Sequence, residues 1–164
     1  MNHQHIFKQG NPERPLLLLL HGTGGTEHDL FFLGEAIDPE ASLLGVRGNV
    51  TESGMNRYFR RLAEGVFDEN DLEYRTKELI AFLEEASKEY GFDRNNIVAI
   101  GYSNGANIAG SMIYSFKDAV KGAILHHPMV PFRNRQLPDL HSLPVFIGAG
   151  TNDPLCAPEE STEL

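Results

Sequence analysis

Short apolar runs alternate with amphipathic stretches along most of the chain. The runs PLLLLLHG (15–22), ASLLGVRG (41–48), NNIVAIGYS (95–103), VKGAILHHP (120–128) and LPVFIGAG (143–150) each close on Gly, Pro or a polar turn, which predicts five strands. HIFKQG (5–10) predicts an additional edge strand. Between the runs, Leu72, Leu79, Leu83, Ala86 and Tyr90 recur at helical spacing, with Asp71 and Glu73 near the start and Gly91 after the end, so a helix is expected there. A second helix should begin near Asn104, where Ile108, Met112, Ile113 and Phe116 share a face, and a shorter one after Glu27. Nearly continuous apolar strands separated by helices imply a parallel sheet covered on both faces, because a parallel crossover needs a helix to return the chain. The predicted class is α/β, and ligands in such sheets bind beyond the carboxyl ends of the strands.

Length and composition narrow this further. A chain of 164 residues that is 41% hydrophobic is expected to form one domain over 1–164. Its formal net charge of −9 repels phosphate backbones and anionic membrane surfaces, so no nucleic-acid partner is expected. The run LLLLL at 16–20 is too short for a signal segment and is bounded by Pro15 and His21; no stretch is long enough to insert in a membrane. A single Cys156 forms no internal disulfide, and a cytoplasmic location is the default expectation.

Residues 101–105 read G-Y-S-N-G, a G-x-S-x-G pattern that follows the apolar run Ile97 to Ile100 and opens the predicted helix at Asn104. Five-residue patterns with two glycines arise by chance, but strand–turn–helix is the setting a nucleophile elbow requires, and it makes Ser103 the candidate nucleophile. Attack of a hydroxyl on a carbonyl creates an oxyanion that fixed N–H groups must meet; losing one donor costs roughly 10²–10³ in rate. Asn104, directly after the serine, supplies one candidate N–H, and Thr23 in HGTGGTEHDL (21–30) the other. That loop lacks the spacing and lysine of a phosphate-binding loop. Late in the chain, GTNDP places Asp153 just beyond the last predicted strand, where an acid would orient an imidazole; N-D-P alone would also make a plain turn.

These segments, together with GMNRYFRRLAEGVFDENDL (54–72) and ILHHPMVP (124–131), resemble the phospholipase/carboxylesterase family of the α/β-hydrolase superfamily, and within it a subgroup of the MhqD/YahD type. The resemblance runs from about Pro15 to Leu164. It implies an α/β-hydrolase fold and a serine esterase or thioesterase acting on small acyl substrates through a Ser-Asp-His triad, with no metal and no organic cofactor. In such hydrolases the triad histidine lies on a loop after one further strand, and a final helix follows. Only eleven residues follow Asp153, so the last strand, the histidine and the terminal helix are expected to be missing, and little turnover is expected of this chain alone. A non-catalytic binding or interaction protein on the same scaffold is the alternative.

Seven histidines are present. His21 is expected to bond neighbouring backbone and shape the oxyanion loop, and His126 and His127 to pack beneath the site or line its wall. None is expected to replace the base, because Asp153 stands on a different strand. His3 and His5 make an H-x-H pair without a third ligand, and no metal site is expected. His21, Gly22, Met55, Tyr58, Phe59, His127 and Met129 are the candidate substrate-binding residues. Arg57, Arg60 and Arg61 could hold an anionic end of a substrate, but a capped surface helix pairing them with Glu64, Asp68 and Glu69 is preferred. Without a further strand, the run 143–149 would leave a sheet edge open, and a homodimer through that edge is the expectation.

Overall fold

The computed structural model describes residues 1–164. Six strands form one sheet: β1 (His5–Lys8), β2 (Leu16–Leu20), β3 (Leu43–Val46), β8 (Ile97–Tyr102), β9 (Gly122–His126) and β10 (Val145–Gly148). Their order across the sheet is β1-β3-β2-β8-β9-β10; β1 is antiparallel to β3 and the rest run parallel. The five leucines of β2 are all buried, because β2 is an interior strand with both faces covered. Their alternation is read directly in the packing: Leu16, Leu18 and Leu20 join the main core, while Leu17 and Leu19 join a smaller cluster on the other face.

The main core is closed by α2 (Glu69–Tyr90) and α3 (Asn104–Ser115); the smaller cluster is covered by α1 (Phe31–Ile37) and the residues leading into it. Helix α2 starts where the Asp68 carboxylate accepts from the Asp71 N–H at 3.1 Å and stops at Gly91, which takes φ +72°. A last short helix, α4, spans Pro158–Glu163.

One expectation fails outright. The segment expected to carry a capped surface helix instead forms two small hairpins, β4 (Val50–Glu52) with β5 (Met55–Arg57) and β6 (Arg61–Ala63) with β7 (Val66–Phe67). The reason is local: Ser53 and Gly54 both have positive φ, as does Gly65, so tight reversals interrupt any helical run. The arginine pairings change accordingly. Arg57 and Arg61 both meet Glu52, and Arg60 meets Asp71; none pairs with Glu64, Asp68 or Glu69.

Candidate active site

Strand β8 ends at Tyr102, and the chain turns through Ser103 at φ +52°, ψ −112° before entering α3. A non-glycine residue in this region is strained, and the surroundings hold it there. The Ser103 N–H donates to the His126 carbonyl at 2.8 Å, and the Ser103 carbonyl accepts from the Asn107 N–H at 3.0 Å. The two glycines of the motif exist because backbone lies against them. A Cβ on Gly101 would stand 2.6 Å from the Gly105 carbonyl oxygen, and one on Gly105 would overlap the Leu20 carbonyl while standing 2.6 Å from that of His21. The start of α3 is therefore pressed onto the carboxyl end of β2.

The loop after β2 is fastened to the first hairpin. The Gly24 N–H donates to the Asn56 carbonyl at 2.9 Å, and the Asn56 amide donates to the Gly25 carbonyl at 2.8 Å. Arg57, itself only 3% exposed, donates from Nη1 to the Thr23 hydroxyl at 2.6 Å and from Nε to the Phe59 carbonyl at 3.2 Å. No protein group accepts from the Thr23 backbone N–H, and Asn104, as the first residue of α3, has no intrahelical acceptor for its own. The Asn104 side chain is fixed by accepting from the Tyr58 N–H at 2.7 Å, with its Nδ2 buried and unpartnered.

A cavity of about 440 Å³ opens here, with Thr23, Arg57, Ser103, Asn104, Asn107 and Met129 in its wall and Arg61, Glu64, Phe67 and Leu155 further round it. It sits at the carboxyl ends of the strands, where α/β sheets bind ligands. A larger hollow of about 570 Å³ lies among residues such as Phe116, Ala119, Leu140 and Leu143, at the amino ends of β9 and β10, and carries no candidate nucleophile.

The candidate substrate residues separate into two sets. Met129 lines the cavity; His21, Gly22, Met55, Tyr58, Phe59 and His127 do not. Tyr58 (1% exposed) and Phe59 (0%) are core residues, which corrects their expected place in the substrate wall. The Tyr58 hydroxyl donates to the Val46 carbonyl and accepts from the His21 N–H, and burial pushes its pKa well above that of free tyrosine. His21 is buried as well. Its Nδ1 lies 2.6 Å from the Gly22 carbonyl and its Nε2 accepts from the Gly48 N–H at 3.0 Å, which fixes a neutral imidazole with the proton on Nδ1.

His127 differs more from its expected role. Strands β9 and β10 are neighbours, so the residue after one strand reaches the turn after the other: His127 Nδ1 stands 2.7 Å from an Asp153 carboxylate oxygen. His127 Nδ1 is buried and makes no aligned hydrogen bond there. Separate strands had argued against any histidine meeting Asp153; adjacency removes that argument. The Asp153 carboxyl is held below its ordinary range first by the Leu155 N–H, which donates at 2.9 Å, with His127 contributing less. No histidine hydrogen-bonds to the Ser103 hydroxyl. Arg57, expected on a surface helix, is instead buried at the end of β5; the S-G turn at 53–54 between VTE and MNR is a hairpin signal that places it on a strand.

A mostly parallel sheet with a strained serine between strand and helix, beneath a cavity at the strand ends, defines an α/β-hydrolase scaffold. The chain matches the phospholipase/carboxylesterase family over residues 1–161 and belongs to that family. It is 61% identical over 161 residues to the protein MhqD of Bacillus subtilis (strain 168), spanning 98% of this chain and 80% of that one. Among solved structures it is similar to the Bacillus cereus carboxylesterase (63% identity, TM-score 0.97, 99% of this chain and 77% of that one). It is also similar to YahD, solved with malic acid (32% identity, TM-score 0.94, 98% of this chain and 81% of that one). No helix is long and apolar enough to cross a membrane.

Proposed function

We propose that this carboxylesterase-family protein is built to cleave small acyl esters or thioesters through Ser103. The observation that carries the reading is the strained Ser103 at the head of α3, opening onto a cavity bordered by two unspent backbone N–H groups. In this reading the Ser103 oxygen attacks the acyl carbon, the Thr23 and Asn104 N–H groups meet the developing oxyanion, and the alcohol or thiol leaves as the acyl-serine forms. Water then hydrolyses the acyl-serine and restores the hydroxyl. Asp153 would orient the imidazole that takes the serine proton; no histidine hydrogen-bonds to the Ser103 hydroxyl in this structure, although His127 stands beside Asp153. The catalytic step asks for no metal and no organic cofactor.

The test follows from the absent histidine contact. A fluorophosphonate should modify Ser103 slowly, free imidazole added as a base should accelerate the reaction, and Ser103→Ala should abolish it, all read by mass spectrometry of the labelled peptide. Modification at another residue, or none at high imidazole, would refute the proposal.

A further inference from the structure

Two guanidinium groups line the cavity that holds Ser103, and the hydrogen bonds they make leave a specific set of donors unused. Arg57 directs Nε to the Phe59 carbonyl and Nη1 to the Thr23 hydroxyl; its Nη2 has no protein partner, yet it is not among the buried, unpartnered atoms and so keeps access to solvent. Arg61 directs only Nε, at 2.8 Å, to Glu52, leaving both terminal nitrogens unbonded by protein. The terminal nitrogens of such a pair are the ones that grip a carboxylate in parallel hydrogen bonds.

Charge balance points the same way. Glu52 is the only carboxylate paired with either arginine, at 3.4 Å from Arg57 Nε and 2.8 Å from Arg61 Nε, so two cations share one anion. Burial and the neighbouring Arg61 both lower the Arg57 pKa, the mark of a positive charge short of compensation. Glu64 also borders the opening, but it is exposed and makes no ion pair, so water screens it far more than it screens the buried Arg57. On a molecule of net charge −9, this is a local positive site inside the pocket of the candidate nucleophile.

We infer that Arg57 and Arg61 form a carboxylate-binding subsite, and that the preferred substrate is a short acyl ester carrying a free carboxylate, the half-ester of a dicarboxylic acid. The inference rests on the Ser103 reading for the word substrate, but the anion subsite stands by itself. Because Arg57 also holds the Thr23 hydroxyl, an anion on its free nitrogen would lie against the residue that fixes the oxyanion loop, joining recognition to the site of attack.

Binding can be read without turnover. The protein is titrated with monomethyl succinate and with methyl levulinate, its neutral counterpart of similar length, following backbone amides by NMR. The half-ester should bind about 10-fold more tightly, with the largest shifts around Thr23, Arg57 and Arg61. Arg61→Gln should bring the two affinities close together. Arg57→Lys, which keeps the charge and loses the fork, should weaken the half-ester selectively, its folding being checked in the same spectra. Equal affinities in the unaltered protein, or a preference that survives both substitutions, would overturn the subsite. A half-ester preference in a protein that fluorophosphonate does not label at Ser103 would leave the subsite standing and remove the hydrolase reading; labelling without the preference would do the reverse.

Discussion

Gly105→Ala turns the close approach of α3 to β2 into a measurement. Two effects oppose each other. Alanine in a helix is favoured over glycine by about 1 kcal/mol. Against this, the new methyl would overlap the Leu20 carbonyl and lie 2.6 Å from the His21 carbonyl oxygen, where ordinary contact begins at 3.4 Å. Overpacking typically costs about 1–3 kcal/mol, and the upper part of that range applies because the obstacle is backbone of a strand paired on both sides. The net expectation is a loss of about 2 kcal/mol, measured as the urea midpoint at constant slope. Relief requires the head of α3 to retreat by roughly 1 Å, carrying Ser103 and the Asn104 N–H away from their places, so imidazole-assisted labelling should fall about 10²-fold. Gly110→Ala supplies the control on the same helix: its methyl would meet nothing nearer than Pro131 at 3.7 Å, so it should be neutral or stabilising. If the two alanine variants unfold at the same urea concentration, the tight-packing explanation of the motif is wrong.

Two further outcomes test the support beneath the site. His21 and His3 are buried and their pKa values lie below the ordinary 6.5, in both cases chiefly through desolvation. The unfolded chain therefore takes up protons that the folded one resists, so stability is complete above about pH 6.5 and declines as pH falls toward the folded-state values. The urea midpoint should drop between about pH 7.5 and about pH 5.5, a window in which most carboxylates stay ionised; a flat or rising midpoint contradicts this. Tyr58→Phe leaves the Val46 carbonyl and the His21 N–H without their buried partner, and should cost about 2 kcal/mol in the same assay, whereas a loss under about 0.5 kcal/mol would mean that water enters to satisfy them.

What could be read from the chain divides along physical lines. The β2 leucine run, the α2 register from Leu72 to Tyr90 and the β8–Ser103–α3 turn were legible because burial on a sheet or helix face imposes a period, while Gly91 marks a helix end that needs a positive φ and Gly105 a position where a side chain does not fit. The hairpins between Val50 and Phe67 were not legible from alternation, since strands of two or three residues carry too few positions for it to stand out; the turn at Ser53-Gly54 was the one local signal for the first of them. Misreading them as helix placed Tyr58 and Phe59 on the pocket side, when both point into the core, and gave the arginines the wrong partners. The meeting of His127 with Asp153 depends on β9 and β10 lying side by side, a relation between segments that no local pattern encodes.

The left-handed backbone at Ser103 sets two demands against each other at a single codon. Glycine would rest in that bend without strain, so thermal tolerance taken by itself favours losing the side chain there. On the proposed reading of Ser103 as nucleophile, an oxygen at the mouth of the cavity is what serine supplies in exchange, a cost in robustness set against chemistry.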